Sequence, residues 1–286
     1  MTKIPWTDKV WNPVTGCTKI AAGCKNCYAE AMAKRFWKGR KFTDVRCHSD
    51  RLDIPLHWKK SRKIFICSMG DLFHEKVPFR FIDKVMAVIY QSFWLGHKFQ
   101  ILTKKPERML EYFHDENLDG RILRIMRKKD WATKKALLTC EVRRMPHLWL
   151  GVSVSTQADA DKNIPILLQI PAAVRFVSIE PMLQWIRISP EYFGYLRTGK
   201  FRTRKAIKEY QVKYDKTAPK LNWIIIGCES GPGARLCELD DIRNVRDQCK
   251  EAGVPVFIKQ IPINGKCSKN PAEWPEDMRV QEFPKC

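Results

Sequence analysis

Three cysteines have the types and spacing to do chemistry. Cys17, Cys24 and Cys27 crowd into one short segment, CTKIAAGCKNC, with glycines at 16 and 23. Thiolates are ligands for iron–sulfur clusters and for zinc. Three on one loop can hold three irons of a [4Fe–4S] cluster and leave the fourth iron open, as a reactive cluster requires. A closed structural zinc site needs a fourth ligand, which Cys47 or His48 can supply. Spacing alone serves both equally. Most of the other cysteines sit singly inside apolar runs, as Cys67 in KIFICSM, Cys140 in LLTCEV and Cys228 in WIIIGCES. They read as reduced, small core residues.

Other chemistries find less support. The six histidines form no HxxxH or HExxH arrangement, and no GxSxG occurs, so histidine-based metallohydrolases and serine hydrolases are disfavoured. Gly231, Gly233 and Arg235 offer an anion nest, but no P-loop lysine follows at the required spacing. Lys259 ends an apolar run before Gln260 and can face a substrate or snorkel from the base. Cys228, beside Glu229, is either a hydrogen-atom or proton donor or a core residue.

Seven short apolar runs supply the elements that must position these residues: 10–14, 63–69, 98–104, 148–154, 174–180, 222–229 and 254–260. Most lack strict polar alternation, which predicts strands buried on both faces of a parallel sheet. Helical stretches lie between them. AEAMAKRFWK follows the first run, Pro78 and Pro106 open two more helices, DADKNIPILLQI precedes the fifth run, and LDDIRNVRDQCKEAG ends at Gly253. Strand and helix alternate, so the expected class is α/β, a partial (βα)6 barrel of TIM type. The chain is read as one domain over 1–286, with a C-terminal extension over 261–286. Residues 115–147 and 190–220 break the rhythm as basic insertions.

Composition narrows the partner. The 286 residues carry 52 Lys and Arg against 31 Asp and Glu, a formal charge of +21. Such a surplus favours a polyanion, because each neutralised phosphate releases counterions. The excess is uneven: residues 196–220 hold nine basic residues against Glu209 and Asp215, with Phe201, Tyr210 and Tyr214 interleaved. Bases can stack on such aromatics while the cations hold phosphates; a solvated amphipathic insertion has the same composition. No window reaches a membrane-spanning length of apolar residues, and MTKIPWTDKVW lacks a secretory apolar region. The expected location is the cytoplasm, with no membrane partner.

A three-cysteine loop at the first βα junction, with Tyr28 directly after the last cysteine, resembles the radical S-adenosylmethionine (SAM) superfamily. The phrases WNPVTGCTKIAAGCKNCYAE, ICSMGDLFHE, ILTKKPERM, LGVSVS, FVSIEPM, IIIGCESGPGAR and VFIKQ resemble, more closely, a phage- and prophage-associated branch of radical-SAM-like proteins. They run to about residue 260. The first cysteine spacing is six residues where the superfamily commonly has three, and the longer loop is usual for this branch. The resemblance implies a [4Fe–4S] cluster on Cys17, Cys24 and Cys27, SAM chelated at the open iron, and reductive cleavage to a 5′-deoxyadenosyl radical. It implies an electron donor such as flavodoxin or ferredoxin, and host cytoplasm if the chain is phage-encoded. Cofactor contacts then fall at strand C-terminal ends: Tyr28 to the adenine through its backbone, Ser68, Gly70 and Asp71 to the SAM amino group, Thr103 and Lys104 to its carboxylate, and Ser153 and Ser155 to the ribose. Glu180 and Glu229, which end the fifth and sixth runs, are counted with these cofactor contacts.

Three functions follow. The first is a radical SAM enzyme that alters a nucleobase, in DNA more than RNA, reached by flipping or in single strands; a hypermodified thymine in phage DNA is one such substrate. The second keeps the chemistry but acts on a peptide or small metabolite. The third is a nucleic-acid-binding module with a structural zinc or inert cluster.

Overall fold

The structure, a computed structural model, describes residues 4–129, 131, 145–198, 211–215, 217–231 and 233–285. Eight strands form one sheet in the order β1 (Lys9–Trp11), β4 (Lys63–Ile66), β5 (Lys98–Thr103), β6 (Leu148–Val154), β7 (Val174–Ile179), β10 (Trp223–Gly227), β11 (Val256–Ile263) and β12 (Lys266–Ser268). All neighbours are parallel except β11 with β12. The sheet curls into a half-barrel, so the class is α/β with a mostly parallel sheet. Two short antiparallel pairs stand apart, β2 (Val14–Thr15) with β3 (Arg46–Cys47) and β8 (Tyr195–Thr198) with β9 (Gln211–Tyr214).

All seven predicted runs contribute a strand to this sheet. The first is cut short: β1 ends at Trp11, Pro13 has no N–H for a ladder, and β2 turns away to β3. The predicted helices are α1 (Tyr28–Phe36), α2 (Phe79–Gln91), α3 (Pro106–His114), α5 (Gln157–Gln169) and α6 (Leu239–Glu251). Of the first basic insertion, α4 (Leu118–Lys128) is described, whereas 130 and 132–144, including Cys140, lie outside the described residues. The second shows as β8 and β9; Lys200, Phe201, Arg202, Arg204, Lys205, Lys208, Tyr210 and Lys216 lie outside the described residues. No helix among the described residues is long and apolar enough to cross a membrane.

The missing polar alternation has a direct cause. Ile64, Ile66, Leu148, Leu150, Ile224, Ile226, Val256 and Ile258 join the core beneath the helices. The residues between them, Phe65, Trp149, Trp223, Ile225 and Phe257, form a second core with Val174, Phe176 and Trp6 that contains no helix residue. Both faces are therefore apolar, and period two survives only as a change of core. The second core is aromatic. Trp223 lies 5.7 Å from Trp149, 5.6 Å from Phe176 and 5.4 Å from Phe283, edge-on or tilted. Phe283 arrives on the C-terminal extension, which returns along β11 through Ile258 N–H to Val280 O (2.8 Å) and Glu282 N–H to Val256 O (2.8 Å). Toward the strand C-termini the same face carries Gly151, Ser153, Ser178, Gly227 and Lys259, small or polar residues that leave room where the aromatics leave none.

Gly151 marks the boundary between these regimes. A Cβ there would stand 2.5 Å from the Phe176 ring, so Gly151→Ala must displace a ring wedged among other rings. Urea denaturation is expected to show a loss of about 1–3 kcal/mol; unchanged stability would mean that the aromatic base is loosely packed.

Candidate functional site

The cysteine loop begins at a backbone position that only glycine suits. Gly16 has φ +93°, and a Cβ on it would lie 2.6 Å from Asp44 O. Its N–H donates to Met69 O (2.8 Å), Gly16 bridges Gly70, and Cys17 N–H donates to Phe42 O (2.9 Å). The loop then crosses the strand ends. At Gly23 a Cβ would come 2.1 Å from Ser155 Oγ, so the loop lies directly on the end of β6. Beyond Cys24, the Asn26 amide donates to Glu229 Oε2 (2.8 Å) and Gly233 O (2.9 Å), past the end of β10. Cys27 caps α1, whose N-terminal dipole favours negative charge.

A cavity of about 150 Å³ lies under this loop. All three cysteines line it, as do Tyr28, Ser68, Gly70, Asp71, Thr103, Lys104 and Ser153. Ser155 lines an adjoining pocket of about 70 Å³ that shares Lys104 and Ser153. Thus the loop and the residues following β4, β5 and β6 converge as predicted. Burial, with the Asp71 charge adding to it, pushes the Cys17 thiol up to about 12; its hydrogen bond, to Thr18 O, is long at 3.5 Å. Three thiols on one cavity suit a cluster that binds each cysteine at a separate iron. Among the described residues, no three His, Cys, Asp or Glu side chains are grouped as ligands of one ion would be. Neither Cys47 nor His48 lines the cavity. Cys47 pairs with Val14 across β2 and β3, and His48 Nε2 meets Thr15 Oγ1 at 2.8 Å.

The polar residues are not equivalent. The buried Asp71 carboxylate accepts the Thr103 hydroxyl (2.8 and 2.9 Å), Phe73 N–H (2.9 Å) and Lys104 N–H (3.0 Å), tying the loop after β4 to the end of β5. Asp71 therefore positions Lys104. The Lys104 ammonium donates to Ser153 Oγ, whereas that of Lys105 is taken by Glu75. The Tyr28 hydroxyl donates to Ser68 O (2.6 Å) at the cavity wall, while the side chain as a whole stays half exposed.

Glu180, Glu229, Cys228 and Lys259 do not line the cavity. Lys259 Nζ meets Glu180 Oε1 at 2.7 Å, beside Ser178 Oγ. Glu229 is held by Arg235 through Nε (2.9 Å), Nη2 and the backbone N–H (2.8 Å), as well as by Asn26. Burial opposes ionisation, but these donors win and hold its carboxyl down to about 2. Glu229 is thus a clamp on the cysteine loop, and Arg235 is committed to it rather than to an anion nest. Cys228 is buried, with its carbonyl accepting from Gln260.

Sequence reasoning missed Cys67, Thr18 and Phe42 as lining residues. Cys67 holds φ +62°, a left-handed conformation unfavourable for a residue with a Cβ. Its N–H donates to Trp11 O (2.8 Å) and its carbonyl accepts from Gly70 N–H (3.2 Å). Thr18 Oγ1 meets His74 Nε2 at 3.0 Å, a contact across 56 residues that no local pattern announces.

Residues 1–273 match the model of a family described as a protein of unknown function (DUF5131), and the chain belongs to that family. Neither the curated proteins nor the solved structures contain a match.

The clamp makes a signed prediction. A carboxyl whose pKa is lowered by folding stabilises fully above its unfolded value and loses that contribution as pH falls toward its folded value, here about 2. Glu229→Gln is expected to cost about 1–3 kcal/mol at neutral pH. The gap from the parent protein, followed by denaturation between pH 5 and 2, should narrow with acidity; a constant gap would show that the charge is immaterial.

Proposed function

We propose that this protein is a radical SAM enzyme acting on a nucleobase, built on a partial (βα)6 barrel and working in the cytoplasm with a flavodoxin- or ferredoxin-type donor. The observation that carries this reading is the convergence of Cys17, Cys24 and Cys27 with Lys104, Thr103 and Ser153 on one cavity at the strand C-termini. When bound and reduced, a [4Fe–4S] cluster supplies the electron that cleaves SAM to methionine and a 5′-deoxyadenosyl radical.

The chain's own residues would hold and orient the reactants. The three thiolates would bind the cluster. Lys104, fixed by Asp71 through its backbone and resting on a neutral hydroxyl, would pair with the SAM carboxylate. Ser153 and Ser155 would take ribose hydroxyls, and the Tyr28 backbone the adenine. Lys259, held by Glu180 where the β10–β11 register shifts, would contact substrate, while Cys228 is too deeply buried to be more than a core thiol. The +21 charge supports a nucleic-acid substrate, DNA more than RNA.

Anaerobic reconstitution with iron and sulfide tests this. A reduced-state EPR signal perturbed by SAM, with 5′-deoxyadenosine formed, is expected. Cys24→Ala should lose both, whereas Lys104→Ala should keep the cluster and need about tenfold more SAM. Zinc uptake with no deoxyadenosine would replace this reading with the structural-metal binding module.

A further inference from the structure

Helix α1 turns its larger apolar face outward. Ala29 and Ala33 are its buried residues. Tyr28, Met32 and Phe36, spaced i, i+4, i+8 and so aligned on one face, are 53%, 44% and 57% exposed. Such a stripe on a helix that packs through alanines calls for a partner.

The stripe is continuous with the cavity. Tyr28 lines it. At the far end the chain turns back immediately: Trp37 lies 5.8 Å from Phe42, and Phe42 lines the cavity again. Charge specifies the occupant. Residues 25–41 carry Lys25, Lys34, Arg35, Lys38, Arg40 and Lys41 against Glu30, which is neutralised by Lys19 at 2.8 Å; Arg40 is engaged by Asp44 at 3.2 Å, and the other cations still outnumber the acid. The Arg35 guanidinium lies 5.1 Å from the Phe36 ring centroid. Flat apolar side chains at helical intervals, flanked by cations, suit stacked bases and the phosphates that join them.

We propose that the exposed face of α1, Tyr28–Met32–Phe36 with Arg35 and Lys38, is a platform for single-stranded nucleic acid that delivers one nucleotide to the cysteine-lined cavity. This deepens the nucleic-acid part of the function proposed above, and it depends on described residues rather than on the basic stretch around 199–210.

The test is fluorescence anisotropy of the anaerobically reconstituted full chain with a labelled single-stranded oligonucleotide of about 20 nucleotides, across a salt series. The double variant Met32→Ser/Phe36→Ser is expected to bind about tenfold or more weakly with an unchanged salt slope, because stacking releases no counterions. Arg35→Glu/Lys38→Glu should flatten the slope by roughly 1.4, the contribution of two phosphates. Trp94→Ala, an exposed aromatic between α2 and β5 at the opposite strand ends, should bind like the parent. Parent-like binding by the Met32/Phe36 variant would overturn the platform, as would binding to phosphatidylglycerol vesicles but not to the oligonucleotide. Deoxyadenosine formation, assayed without oligonucleotide, separates the two readings: SAM cleavage with parent-like variant binding sinks only the platform, and platform-dependent binding without cleavage sinks only the chemistry.

Discussion

Everything at the functional end of this half-barrel depends on how one loop is laid across the strand termini. The segment from Gly16 to Asn26 touches the loop after β4 through Gly16 and Gly70, the end of β6 through Gly23 on Ser155, and the region after β10 through Asn26, Glu229 and Arg235. Each anchor is a contact that tolerates little change. A Cβ at Gly16 would run into backbone, one at Gly23 would have to push the Ser155 side chain aside, and the Glu229 carboxylate is saturated by charged and amide donors. Three cysteines spread along eleven residues would otherwise be free to move apart, at an entropic cost for every ligand brought to a common point. Fixing the loop at its two ends and in its middle meets that cost during folding.

The fold was largely legible because burial on both sheet faces leaves an unambiguous trace. Stretches such as LWLGV and WIIIG carry no polar side chain at alternate positions, as a strand packed on two cores requires. The first apolar run outlasts its strand because Pro13 interrupts the ladder. In the site, the cysteines and the residues after β4, β5 and β6 were found by their place after strands, and that place brings side chains together whatever their individual roles. The roles themselves were not legible. Asp71 looked like a ligand contact, but its partners are Thr103 and Lys104, 32 and 33 residues away. Glu229 looked the same, and one of its partners, Asn26, is 203 residues distant. Cys67 reads as core and is buried in it, but nothing in its residue type signals its left-handed backbone or its place on the cavity wall.

Helix α1 shows the same limit from the other side. A hydrophobic-face argument would bury Tyr28, Met32 and Phe36 and expose the alanines. The structure does the reverse, because the loop that precedes α1 is pinned so near the strand ends that only small side chains fit beneath the helix. The helix is legible in AEAMAKRFWK, but which of its faces turns inward is decided by that loop. The anchoring of the loop therefore dictates the surface beside the cavity as well as the cavity.

The inner face of the sheet completes this logic. At its base, Phe65, Trp149, Phe176, Trp223 and Phe257 fill the space and the C-terminal extension seals it with Phe283. Above Gly151 the same strands turn to serine, glycine and lysine; Ser153 among them lines the cavity, which Phe65 of the aromatic base also borders. Charge within that cavity is already sorted. Asp71 is spent on protein donors and Lys105 on Glu75, whereas Lys104 rests on a neutral hydroxyl. A cation held against a dipole rather than a carboxylate is poised for an anionic group. Lys104 is also the one lining residue shared with the adjoining pocket that Asp71 fixes directly. One of the positions that join the two pockets is thus where positive charge is held against a neutral partner, to be answered from outside.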